Sequence, residues 1–149
     1  MERISLQEMP GLYKVMSGVE QYVNQCGLDL KLLELMRFRI SQINHCAYCL
    51  DMHYKEAVHH GETPLRLYSV SAWHESPFYT EKEKLVLEFA EKLTQLPQNH
   101  IEDDLFNRLL NFFSKEEVMN LALAVSQINS WNRLVQVGRP VPGKYEVRK

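Results

Sequence analysis

The sequence predicts an all-α fold on three observations. Apolar residues recur at helical spacing through several long segments. Helix-start signals stand directly ahead of those segments. No stretch alternates strictly at period two, and no Asn-Gly or Asp-Gly hairpin signal occurs.

In chain order, the first helix follows Pro10-Gly11 and ends near Gly27. The second opens with Asp29 as N-cap and carries Leu30, Leu32, Leu33, Leu35, Met36, Phe38, Ile40 and Ile43. It is apolar nearly all round, which predicts deep burial. A break near Asn44 separates it from a third helix that reaches Gly61, its C-cap. Thr63 as N-cap and Pro64 at N1 open a short helix through Trp73. Thr80-Glu81-Lys82-Glu83 is a capping-box pattern before Leu85, Val86, Phe89, Ala90 and Leu93. A further helix is expected from Glu102 to Phe113. Ser114-Lys115-Glu116-Glu117 is a second capping box, opening a long helix with Val118, Leu121, Ala122, Val125, Ile128, Trp131, Leu134 and Val135. From Gly138 onward Pro140, Pro142 and Gly143 predict an extended, irregular tail. The expectation is one all-α domain of about six or seven helices. It spans residues 1–149, with a core at about 10–137 and a tail at 138–149; no repeat or linker divides it.

The 149 residues, 17.5 kDa, suffice to bury a core without disulfides or structural metals. With 45% apolar and 24% charged residues, the composition excludes disordered, collagen-like and low-complexity classes. Seventeen basic against nineteen acidic residues give a net charge of −2. That leaves no basic field to bind nucleic acid or an anionic membrane. No apolar run approaches the roughly 18–20 residues that a bilayer span needs. The start, Met1-Glu2-Arg3-Ile4-Ser5-Leu6, lacks a signal peptide's apolar region. A soluble, cytoplasmic protein is therefore expected. In a reducing cytosol, three cysteines favour thiol chemistry or metal binding over a disulfide framework.

The segment Asn44-His45-Cys46-Ala47-Tyr48-Cys49-Leu50-Asp51-Met52-His53 carries the chemistry. Cys46 and Cys49 stand at i, i+3, and His53 follows Cys49 at i+4, so on a helix all three share one face. Neighbours three apart lie roughly 5–6 Å apart at Cβ. A disulfide needs about 3.5–4.5 Å, so a small local adjustment would close one. With Asn44 as N-cap, both cysteines fall in the first turns, where the helix dipole and unpaired N–H groups favour a thiolate. The thiolate is the attacking species in peroxide reduction and disulfide exchange.

If the chain reverses at Asn44, Glu34 and His53 each lie roughly 14–15 Å from the turn and come side by side. Glu34 is also an acid within an apolar helix. A buried carboxylate beside an imidazole makes a proton relay serving Cys49. Other readings of these residues stay open at this point. Glu34 could pair with Arg37 at i+3. His53 could be an ordinary helix histidine. Cys46, Cys49, His53 and Glu34 together could ligate zinc, although no second CxxC pair completes a common structural site. A thioredoxin fold is disfavoured because no βαβ pattern surrounds the motif. Cys26 reads as an inert core or helix-end thiol, and His45, His59, His60, His74 and His100 as surface or packing residues. The Trp131 segment reads as core or subunit interface, with Asn129, Asn132 and Arg133 available to line a pocket.

Glu34, eleven intervening residues, Cys46-Ala47-Tyr48-Cys49 and His53 resemble the core of alkyl hydroperoxidase D-like proteins of the carboxymuconolactone decarboxylase superfamily. The run Asn44 to His53, Trp73-His74-Glu75-Ser76-Pro77 and Ile128-Asn129-Ser130-Trp131-Asn132-Arg133 resemble a single-domain branch of that family. The likeness extends roughly from Pro10 to Val137. It implies an all-helical fold that oligomerises as trimers or hexamers. It also implies cofactor-independent peroxidase activity on hydroperoxides. In that scheme Cys49 attacks the peroxide, Cys46 resolves, His53 and Glu34 relay protons, and an outside dithiol protein reduces the pair. One residue departs from the pattern: Tyr48 stands where the best-studied members carry a second histidine. With a pKa near 10, tyrosine is a poor proton acceptor at neutral pH. The superfamily's decarboxylases are expected to lack the CxxC pair. The leading expectation is thus a thiol peroxidase or disulfide reductase. The alternatives are a non-catalytic redox sensor or binding module, then a zinc-binding structural protein.

Overall fold

A computed structural model describes residues 2–148. Among them lie seven α-helices and no strand. They are α1 (Pro10–Gln25), α2 (Leu30–Ile43), α3 (Ala47–His59), α4 (Pro64–Ser69), α5 (Glu81–Thr94), α6 (Asp103–Leu109) and α7 (Lys115–Gly138). Short 3-10 turns cover Leu6–Glu8 and Val70–Ala72.

Four of the seven α-helices start where a side chain satisfies an otherwise orphaned first-turn amide. Asp29 accepts from the Lys31 amide and Thr63 from the Arg66 amide. Thr80 with Glu83, and Ser114 with Glu117, close reciprocal capping boxes. Helix α3 ends at His59 with His60, not the expected Gly61, as C-cap, and Gly61 just beyond it has a φ of +88°, the left-handed conformation that glycine adopts without strain.

Helix α2 is the hub, packing on α3, α5 and α7. Leu32, Leu33, Met36 and Ile40 join a large core with Val86, Phe89, Leu121, Val125 and Ile128. On the other side, Leu35 and Phe38 join a second core with Ala57, Leu67, Val70, Trp73 and Leu87. Serving two cores is the physical reason that α2 is apolar nearly all round.

Two element boundaries differ from the sequence-based expectation. The helix expected over Glu102–Phe113 is regular only over Asp103–Leu109. Ser114 must be extended to cap α7, at φ −69° and ψ 165°, so the chain leaves the helix early through turns at Asn111 and Phe112. The short helix expected through Trp73 is α only to Ser69 and finishes as the Val70–Ala72 turn. Among the described residues, no helix is long and apolar enough to cross a membrane.

Leu33, fully buried between α2 and its partners, sets a test of this packing. Leu33→Ala is expected to lower stability by about 2–5 kcal/mol. Thr80→Ala, which removes a cap acceptor, is expected to lower it by about 1 kcal/mol. Urea denaturation midpoints check both, and a Leu33→Ala effect smaller than the cap effect would contradict the core described.

Candidate functional site

Helices α2 and α3 form an antiparallel pair, and the site lies along their contact. Helix α2 ends at Ile43, with Asn44 as C-cap. His45 then turns the chain with a φ of +53°, a left-handed conformation uncommon outside glycine. Cys46 is the N-cap of α3, and its N–H donates to the Ser41 carbonyl at 3.0 Å. Cys46 and Cys49 are joined by a disulfide, with Cα atoms 5.3 Å apart. Both residues are 1% exposed and pack against Val135 and Tyr48.

Asn44 does not cap α3, contrary to the sequence-based expectation. That position belongs to Cys46, whose side chain makes no cap hydrogen bond. The Asn44 amide faces α7 instead, donating to Asn129 Oδ1 at 2.9 Å and Asn132 Oδ1 at 2.8 Å. The first-turn amides of α3 therefore donate no hydrogen bond to the side chain of their own cap. In the reduced protein they, with the helix dipole, favour negative charge on sulfur.

Glu34 projects from α2 into the contact. Its Oε2 accepts from His53 Nδ1 at 2.7 Å, and its Oε1 from Arg37 Nη1 at 2.6 Å. The two partners considered from sequence are thus held at once, one per carboxylate oxygen. Arg37 is anchored in turn by Asn24 Oδ1 at 2.7 Å and Glu20 Oε1 at 2.9 Å, both on α1. Glu34, Arg37 and His53 are each no more than 5% exposed.

Burial alone would raise the Glu34 pKa. The charges and hydrogen bonds of His53 and Arg37 outweigh it and hold the carboxyl at about 2. Glu34 is therefore ionised at neutral pH and can only accept hydrogen bonds. His53 Nδ1 must carry the hydrogen, so when the ring is neutral its lone-pair nitrogen is Nε2. Among the described residues, His53 Nε2 is the one buried side-chain nitrogen or oxygen with no hydrogen-bond partner. It lies one helical turn beyond Cys49. The arrangement is an oriented imidazole with an unpartnered nitrogen beside a disulfide-bonded cysteine pair.

Tyr48 is half-buried beside the pair. Burial, then the charge of Asp51, pushes its hydroxyl pKa above the ordinary tyrosine value. Its hydroxyl stays protonated at neutral pH, with a hydrogen available to donate and no readiness to accept a proton.

The remaining candidates separate from this site. Cys26 is a free thiol at the end of α1, with Sγ 3.1 Å from the Val23 carbonyl. Trp131 packs against the large core and donates to Glu20 at 3.2 Å. Among the described residues, no three His, Cys, Asp or Glu side chains are grouped to hold a metal ion. Two features escaped the sequence reading. One is the tie from Asn44 to α7. The other is the tail, which folds back on α3: the Gly143 amide donates to Asp51, Lys55 to the Tyr145 carbonyl at 2.8 Å, and the Tyr145 hydroxyl to Glu56. A polar aromatic residue within a Pro/Gly-punctuated tail was the available signal for docking.

The profile of the carboxymuconolactone decarboxylase family matches residues 10–92, which include Glu34, both paired cysteines and His53. The chain belongs to this family. Within it, the chain is alkyl hydroperoxidase D-like in fold. It is 39% identical over 134 residues to the uncharacterized protein YdfG of Bacillus subtilis (strain 168), covering 89% of this chain and 91% of that one. A solved structure from Agrobacterium tumefaciens, of unknown function and named as a candidate antioxidant defence protein AhpD, superposes with a TM-score of 0.89. It is 34% identical, over 99% of this chain and 100% of that one. The debrominase Bmp8 shares the family's fold alone, at 18% identity and a TM-score of 0.80, over 93% of this chain and 75% of its own.

The buried carboxylate sets an acid-stability test. A folded pKa lowered from 4.5 to about 2 means that the Glu34 contribution is complete above pH 4.5 and is lost as pH falls toward 2. Glu34→Gln removes the anion shared by His53 and Arg37, leaving Arg37 with Glu20 alone, and is expected to lower stability at neutral pH by about 3–5 kcal/mol. The gap between wild type and variant should shrink as pH falls through that window. Denaturant midpoints measured against pH check this, and a gap independent of pH would contradict it.

Proposed function

We propose that this chain is a thiol-dependent peroxidase and disulfide reductase. The observation that supports this reading best is a CxxC disulfide one turn from a histidine whose far nitrogen is oriented by an ionised carboxylate and left open. In the reduced protein, His53 Nε2 accepts the Cys49 proton. The thiolate attacks the peroxide oxygen, the O–O bond breaks, and the alcohol leaves with the proton returned by His53. Cys49 becomes a sulfenic acid. The Cys46 thiol condenses with it, forming the disulfide and releasing water. An outside dithiol protein then supplies two electrons and two protons to restore both thiols. The antioxidant role named for the Agrobacterium relative points the same way.

The same reading takes the protein as one domain, cytoplasmic, and a homo-oligomer of three or six copies. Exposed apolar side chains on α1, Leu12, Val15 and Tyr22, suit burial between copies. Tyr48 and the near-complete burial of both cysteines favour a second reading, a redox switch whose disulfide forms once and alters a contact.

Peroxide consumption with a dithiol supplied separates the two. Wild type is expected to turn over repeatedly. Cys49→Ser should fall to background, and Cys46→Ser should stop after one equivalent with a trappable sulfenic acid. His53→Ala is expected to lose about 10²–10⁴-fold in rate. Equal rates in all four proteins would sink the peroxidase reading, and stoichiometric oxidation without turnover would favour the switch.

A further inference from the structure

The sulfur pair is reached through a short connection, Asn44-His45-Cys46, that contains a left-handed histidine. Such a conformation persists in a non-glycine residue only where its surroundings over-determine it. Here one stripe of α7 does so. The Asn44 amide donates to Asn129 and Asn132. The Asn132 amide donates to Ser41 Oγ at 3.3 Å, and the Ser41 carbonyl takes the Cys46 N–H. Gln136 Nε2 donates to the His45 carbonyl at 3.1 Å and the Asn44 carbonyl at 3.4 Å. Asn129, Asn132 and Gln136 follow three- and four-residue spacing, so they lie on one face of the helix. Val135, beside them, packs on the disulfide itself.

We propose that Asn132 and Gln136, acting with Asn44, are positioning residues that set the redox equilibrium of Cys46 and Cys49. The inference rests on the reading of these cysteines as a cycling pair. In the oxidised protein the sulfur–sulfur bond restrains the connection. In the reduced protein that restraint is gone, and the α7 stripe joins the backbone bonds to Ile40, Gln42 and Ser41 in keeping Cys46 aimed at Cys49. Loosening the stripe gives freedom mainly to the reduced form, as opening any closed loop does. It also lowers the effective concentration of one thiol at the other. Reduced protein is thereby favoured, and the disulfide becomes easier to reduce. A stripe that merely satisfied polar groups would stabilise both forms alike.

The test uses the full chain, equilibrated with defined ratios of reduced and oxidised dithiothreitol. After acid quench and alkylation, mass spectrometry reads the Cys46–Cys49 disulfide fraction. Gln136 is exposed, so Gln136→Ala should fold. It is expected to lower the disulfide equilibrium constant about three- to tenfold, the scale of one lost hydrogen bond. Asn44→Ala and Asn132→Ala should lower it about tenfold or more, where tenfold is about 30 mV for a two-electron couple. Gln136→Arg keeps N–H donors and should return toward wild type, whereas Gln136→Glu, which only accepts, should behave like Gln136→Ala. Equilibrium constants within twofold of wild type for Gln136→Ala and any foldable Asn variant, with melting temperatures lowered equally in both redox forms, would overturn the proposal. The readout needs no peroxide, so absent turnover in wild type would defeat the peroxidase reading separately.

Discussion

The structure depends on one carboxylate. Burying an isolated ionised carboxyl costs several kcal/mol, so Glu34 is tolerable in α2 only with partners on both oxygens. His53 comes from α3. Arg37 sits one turn along α2 and leads to Asn24 and Glu20 on α1. Three helices are thereby registered against a single side chain. Sliding α3 by one turn along α2 would strand the carboxylate, so the register that satisfies Glu34 also fixes where Cys49 falls relative to the imidazole. A buried ion pair contributes less to stability than its Coulomb energy suggests. Its consequence here is positional, and the same hydrogen bond that fixes the register fixes the histidine tautomer.

Around that contact the fold divides the work. One face of α2 belongs to the large core with α5 and α7, and the other to the smaller core closed by α4 and Trp73. The polar contact with α3 is thus flanked by apolar packing on either side, which keeps competing water away from His53. Helix α7 contributes to both the hydrophobic core and the polar hold on Asn44. Its stripe changes from Val118, Leu121, Val125 and Ile128 to Asn129, Asn132 and Gln136 as it passes from core to site.

Much of this was legible because helices obey fixed geometry. Caps at Asp29, Thr63, Thr80 and Ser114 are local signals, and each stands where the sequence puts it. A constant rise per residue brings residues equidistant from a turn together, so the Glu34–His53 neighbourhood follows from counting. What was not legible depends on distant partners. Asparagine suits an N-cap, a C-cap or a polar network, and only α7, some 85 residues away, decides for Asn44. The length of α6 was set by the needs of the next cap and not by its own apolar pattern. The choice between Arg37 and His53 for Glu34 dissolved because a carboxylate has two oxygens. The resemblance carried by the CxxC segment supplied the family, while the anchoring of Arg37 by α1 had no signal in local sequence.

The hold of α7 on Asn44 has a consequence for synthesis. A nascent chain is made from its N-terminus, so the residues of α2 and α3 are synthesised before residues 129–136 are available. Until then the connection ahead of Cys46 has only its backbone bonds to α2, and the large core lacks its longest helix. The thiols therefore meet the surrounding redox environment on an unfinished scaffold. Docking of α7 then adds the remaining hold on Asn44 and His45, so maturation of the site is coupled to synthesis of residues 129–136.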